Sequence, residues 1–337
     1  MKTVADIYAN SPGNNMPPVS CRSRNDVKVC LHMIALLFLM SCASPLHASA
    51  PLHHALSVSL HPAEHGLTAT DMVTVPANSG ELRFVLHAGL NPESPDPKVQ
   101  VRKTGSRRGQ VPLEAFTVTF PNDAKTITLH YSGPIYHPVA PADREQARGF
   151  DQTAGIITDT IVYLAGSSAW YPRFETDFVT FTLTTELPAG WDCVSQGTRT
   201  LYKKTKTGSA VSWDSTTPQE EIYLIASRFK EYEKKSGKLT AMVFLRTSDD
   251  GLANNYLDAT IKYSAMYDKL IGPYPYTKFA LVENYWETGF GMPSFTLLGP
   301  TVLRLPFIIN TSYPHEILHN WWGNSVYPVY EKGNWSE

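Results

Sequence analysis

The chain has 337 residues, of which 42% are hydrophobic and 18% charged, and its formal net charge is -2. That is enough chain for two domains with buried cores. The near balance of charge excludes the broad basic surface needed to neutralise a phosphate backbone, so nucleic acid is not an expected partner. At the N-terminus Arg22, Arg24 and Lys28 precede an apolar run over residues 29–40, too short to span a bilayer and of signal-peptide length. Ala48-Ser49-Ala50 offers the small residues that a signal peptidase reads, while Leu39-Met40-Ser41-Cys42 offers a rival, lipoprotein-type cleavage that would leave a lipid anchor at Cys42. Residues 1–50 are therefore expected to be a signal peptide and a preceding segment. The mature protein is expected to be exported, to the periplasm, cell envelope or medium, with no transmembrane span. Cys21, Cys30 and Cys42 lie in or before this segment, so Cys193 supports no internal disulfide framework and is expected to be a small buried hydrophobe.

From residue 51 to 246 the dominant signal is period-two alternation, as in Leu56/Val58/Leu60, Leu82/Phe84/Leu86, Phe116/Val118/Phe120, Ile127/Leu129/Tyr131 and Val179/Phe181/Leu183. Short runs punctuated by Gly, Pro, Asn and Asp predict a largely antiparallel β-domain, a sandwich or saddle. Its histidines invite two readings that are set aside. His61-Pro62-Ala63-Glu64-His65 spells an inverted zinc motif, but it follows a strand and carries proline, so no helical zinc face is expected. The pair His53-His54 is expected to be solvated.

After residue 246 the grammar changes. Leu252, Tyr256, Ala259, Tyr263, Met266 and Leu270 alternate at spacings of four and three, which predicts an amphipathic helix stopped by Gly272-Pro273. Residues 278–284 and 294–299 read as strands, and a second helix carries His315 and His319. The segment 247–337 is thus expected to be a mixed α/β domain.

His315, Glu316 and His319 form H-E-x-x-H. On a helix, residues four apart share a face, so two imidazoles can hold one metal ion while the intervening glutamate addresses water on it. Neutral imidazole suits zinc, whose catalytic sites take three protein ligands and leave one position open. Roughly 0.02 such matches arise by chance at this composition, so the surrounding residues decide.

Those residues are "HEILHNWWGN" and, further on, "GNWSE", and here the chain resembles the gluzincin zinc aminopeptidases of the membrane alanyl aminopeptidase type. His315, Glu316, His319, Trp321 or Trp322, Gly323 and Asn324 match the family's zinc helix. "GFGMPSFTLLG" occupies the place of its substrate strand, and the segments around Trp170 and Trp191 are similar to its N-terminal β-domain. The resemblance covers residues 55–337. It implies a β-domain followed by the first part of a thermolysin-like zinc peptidase domain, with peptide substrates and one zinc ion per chain. It further implies His315, His319 and Glu337 as metal ligands, Glu331 as the weaker substitute for the third, and Glu316 as general base. Gly289, Gly291 and Met292 would bind substrate. The family's amine-gripping glutamate is replaced here by Pro293-Ser294, and Glu287 is the candidate replacement. The family's remaining catalytic helices and its transition-state tyrosine would lie beyond residue 337, so this chain alone is expected to be inactive and to expose Trp321 or Trp322. An aminopeptidase is the reading that follows. The alternatives are a zinc endopeptidase with altered amine recognition and a non-catalytic β-sandwich binding module.

Overall fold

Alternation along the N-terminal strands is realised as sheets packed face to face. The structure, a computed structural model, describes residues 51–141, 151–175 and 178–327. The leader, Cys42, Glu331 and Glu337 therefore lie outside the described residues. A six-stranded sheet is built around Leu52–His61, which pairs antiparallel with Gly66–Thr74 and parallel with Val179–Pro188. Two four-stranded sheets accompany it. Phe84, Phe116, Leu129, Phe181 and Leu183 meet in their shared core, together with Trp170, Trp191 and Trp213. Cys193 is free and fully buried there, and burial pushes its thiol pKa up.

One sequence expectation is corrected in this domain. His54 is not solvated. In Leu52–His61 it falls in phase with Leu52, Leu56, Val58 and Leu60, so the period-two register turns it inward. There its Nδ1 lies 2.7 Å from Asp71 Oδ2, and both side chains are fully buried. The segment at His61 behaves as anticipated. Pro62–Glu64 is a single 3-10 turn closed by His65 in the left-handed region, not a zinc helix.

A further sheet is five-stranded and mixed: β1 (Lys230–Ser236), β2 (Leu239–Leu245), β3 (Lys278–Glu283), β4 (Gly289–Met292) and β5 (Phe295–Leu298), in the order β1-β2-β3-β5-β4. β2, β3 and β5 run parallel, whereas β1 and β4 are antiparallel edge strands. The sheet thus recruits strands from before residue 246 as well as after it, because alternation shows which way a side chain faces and not which sheet its strand joins. Both faces are covered. Met242, Phe244, Ala280 and Val282 pack on the β-domain core, while Ala241, Val243, Leu245, Phe279 and Leu281 pack on helices. Burial of both faces gives these strands their nearly continuous apolar sequence.

Helix α1 (Asp250–Leu270) starts at Asp249, whose Oδ1 accepts the Leu252 amide at 2.9 Å, and ends before Gly272, which takes φ 142. Its stripe is buried at Tyr256, Ala259 and Tyr263 but emerges at Met266 and Leu270. Helix α2 (Ser312–Leu318) packs against it. No helix among the described residues is long and apolar enough to cross a membrane.

Candidate metal centre

α2 is short and has no side-chain cap, so its placement depends on neighbours. Tyrosines of α1 supply them. Tyr263 OH donates to Asn310 Oδ1 at 3.1 Å, Tyr267 OH donates to the Pro314 carbonyl at 3.1 Å, and Tyr313 shares a hydroxyl contact with Thr260. The hydrophobic-stripe reading of α1 includes Tyr263 but not Tyr267, and it misses the task of their hydroxyls.

On this helix the two imidazoles converge. His315 Nε2 and His319 Nε2 are 3.1 Å apart, with the rings edge to face at 4.6 Å between centroids. His319 Nδ1 lies 3.3 Å from the Trp322 carbonyl, an acceptor that only an N–H can serve, so this contact places the proton on Nδ1 and leaves the Nε2 lone pair for a ligand. Between them Glu316 points inward, only 7% exposed, and burial raises its carboxyl to about 7.

β4 passes directly over this group. A Cβ on Gly291 would sit 2.7 Å from Glu316 Oε2 and 2.9 Å from His319 Cδ2, so only glycine lets the strand approach this closely. Gly289 pairs with Leu298 and Met292 with Phe295, where Met292 is buried in the β-domain core. The turn that follows is pinned from three sides. Ser294, at φ 67 and fully buried, gives its amide to Asn320 Oδ1 at 2.7 Å. Its carbonyl accepts Lys278 Nζ at 3.1 Å, and its Oγ accepts the Gly197 amide of the β-domain at 3.0 Å. Lys278 is itself buried, with Nζ 2.8 Å from the Ser195 carbonyl, and desolvation holds its pKa well below the ordinary lysine value. Asn320 and Lys278 were not anticipated as site residues, and Ser294 was singled out only as part of the Pro293-Ser294 replacement of the amine anchor.

Glu287 stands apart from the histidines' task. Its oxygens accept the amides of Thr301 at 3.0 Å and Val302 at 3.2 Å, which caps the 3-10 turn Val302–Arg304. Of the tryptophans, Trp321 is buried against Tyr267 and Tyr274 and donates Nε1–H to the Gly272 carbonyl, whereas Trp322 is 45% exposed.

The donors present suit zinc. Two ligands near 2.05 Å from a tetrahedral ion stand roughly 3.3 Å apart, close to the observed Nε2 separation of 3.1 Å. Among the described residues no group of three metal-ligating side chains occurs, and both candidates for a third ligand lie outside them.

The fold is similar to that of solved M1 zinc metallopeptidases. The M1 zinc metallopeptidase from Deinococcus radiodurans superposes with a TM-score of 0.55 at 17% identity, over 82% of this chain and 65% of its own length. Native yeast LTA4 hydrolase superposes with a TM-score of 0.57 at 15% identity, over 82% of this chain and 44% of its own. The chain thus spans less than two thirds of either, and the likeness is one of fold. No family model matches the sequence, and no curated protein matches it.

Proposed function

We propose that this chain is an exported, zinc-dependent peptide hydrolase that removes N-terminal residues, with His315, His319 and Glu337 holding the metal and Glu316 as general base. The observation that carries the reading is the buried Glu316 carboxyl beside two convergent imidazoles, under a strand that reaches them through Gly291. Zinc, when bound, supplies a Lewis acid that polarises the scissile carbonyl and acidifies water. Glu316 takes a proton from the attacking water on a carboxylate oxygen and returns it to the leaving amine. Burial raises this carboxyl above the ordinary glutamate range, which favours its holding the proton between the two transfers. The outer edge of β4 pairs with no strand among the described residues, and it binds an extended peptide by strand addition.

The full-length protein should carry about one zinc and hydrolyse peptides. Glu316→Gln should keep the metal and lose at least about 100-fold in kcat. Loss of zinc in Glu337→Gln but not in Glu331→Gln supports the third-ligand assignment, and the opposite pattern reverses it. Undiminished activity in Glu316→Gln removes the base from Glu316.

A second reading, cleavage that needs no free α-amine, is favoured by one observation. Pro293-Ser294 stand in place of the family's amine anchor, with Ser294 buried and engaged on all its polar groups, and the oxygens of Glu287 already serve backbone amides. Equal kcat/KM on free and N-acetylated peptides selects this reading. Export rests on the apolar run over residues 29–40 and on Ala48-Ser49-Ala50. The mature N-terminus should be Pro51, or a lipidated Cys42 on the rival cleavage, and intact Met1 on cytoplasmic protein would reject both.

A further inference from the structure

Alternation along β4 separates two environments. Gly291 faces α2, so the side chain of Phe290 points to the opposite side of the sheet. There it lines a cavity of about 210 Å³ together with Tyr163, Trp286, Gln152, Thr153 and Ser167. The volume is below the roughly 300–1,000 Å³ of pockets that enclose a whole small molecule, and it suits a single side chain. Three walls are aromatic, with Tyr163 and Trp286 edge to face at 5.5 Å between centroids. Trp286 is 7% exposed, and its indole N–H is buried with no acceptor among the described residues. A buried, unserved donor in a well-packed protein is uncommon and points to an absent partner.

A peptide added along the free edge of β4 has side chains that alternate between the α2 side and the cavity side. We infer that this cavity is a specificity subsite that takes an aromatic side chain, that of the peptide residue lying opposite Phe290. Ring walls favour a flat ring through edge-to-face contact. The Trp286 N–H and the polar side chains of Gln152 and Ser167 can donate to a phenol oxygen or a peptide carbonyl, whereas the Thr153 hydroxyl is already committed to the His137 carbonyl. The inference rests on the peptide-hydrolase reading for its substrate but not on the identity of the metal or the base.

The experiment uses the full-length protein and alanine-based hexapeptides in which one residue is varied in turn to Tyr, Phe, Lys or Glu. Turnover is followed in the wild type, and binding is followed by calorimetry in Glu316→Gln. At one peptide position Tyr and Phe should raise kcat/KM about 10- to 100-fold over alanine, and Lys and Glu should not. Phe290→Ala and Trp286→Leu should each reduce that ratio to a few-fold, with zinc content reporting that the variants fold. Tighter binding of Tyr and Phe peptides to Glu316→Gln, with no turnover by the wild type, keeps the subsite and rejects the hydrolase reading. Turnover with kcat/KM for aromatic peptides equal to that for alanine at every position overturns the subsite and leaves the hydrolase reading intact. An aromatic preference unchanged in both variants overturns the assignment to this cavity.

Discussion

Replacing Asn320 by alanine tests whether the turn after β4 is held as the structure shows. Asn320 is fully buried, its Oδ1 accepts the Ser294 amide at 2.7 Å and Tyr274 OH at 3.2 Å, and its Nδ2 donates to the Ile317 carbonyl at 2.9 Å. Most partners retain something when the amide is lost. Tyr274 OH still has the Lys278 carbonyl, and the Ile317 carbonyl still accepts the Asn320 backbone amide. The Ser294 N–H alone is orphaned, in a residue already at positive φ. An orphaned buried donor costs about 1–3 kcal/mol, and the lost Nδ2 bond adds roughly 1 kcal/mol, so the variant should lose about 2–4 kcal/mol. Urea unfolding measures the loss, and amide exchange at residues 289–294 should accelerate with it. Asn310→Ala is the control, since it removes the partner of Tyr263 OH at an exposed position and should cost about 0.5 kcal/mol or less. If Asn320→Ala is no worse than Asn310→Ala, or if exchange in 289–294 is unchanged, the turn is not held by this residue.

Two further tests address groups that the chemistry does not use. Asp71→Ala leaves the buried His54 Nδ1 without its partner and should cost about 1–3 kcal/mol in urea unfolding, while Asp71→Asn, which keeps an acceptor, should cost less; a loss no larger than that of Asp71→Asn would refute the pair's structural role. Lys278 has a folded-state pKa depressed by burial, so between that pKa and the unfolded value of 10.5 the unfolded chain binds more protons and stability rises with pH. Wild type should therefore gain on Lys278→Met as pH is raised from neutrality toward 10, by at most about 1.4 kcal/mol per unit, and parallel stability curves for the two would refute it.

Local chemistry made much of this protein legible. Alternation at Leu56, Val58 and Leu60 or Phe116, Val118 and Phe120 needs only the two-residue pleat, and the spacing of His315 and His319 needs only the helical turn, so faces and elements follow from short windows of sequence. The stop at Gly272-Pro273 is equally local. Partners are another matter, because they join residues far apart in the chain. Period two placed residues 230–245 in strands, yet only pairing of β2 with β3 made them part of the mixed sheet. The same period puts His54 inside, but its acceptability there depends on Asp71 across the strand pair. Ser294, Lys278 and Asn320 look like unremarkable polar residues until the β-domain, the sheet and α2 come together and each buried polar group has to find its partner. The sequence by itself determined that two imidazoles and a carboxylate share one helix. Tertiary structure decided that the carboxylate is buried and that a glycine strand crosses it, because burial and close approach are properties of packed neighbours and not of the residue that is packed.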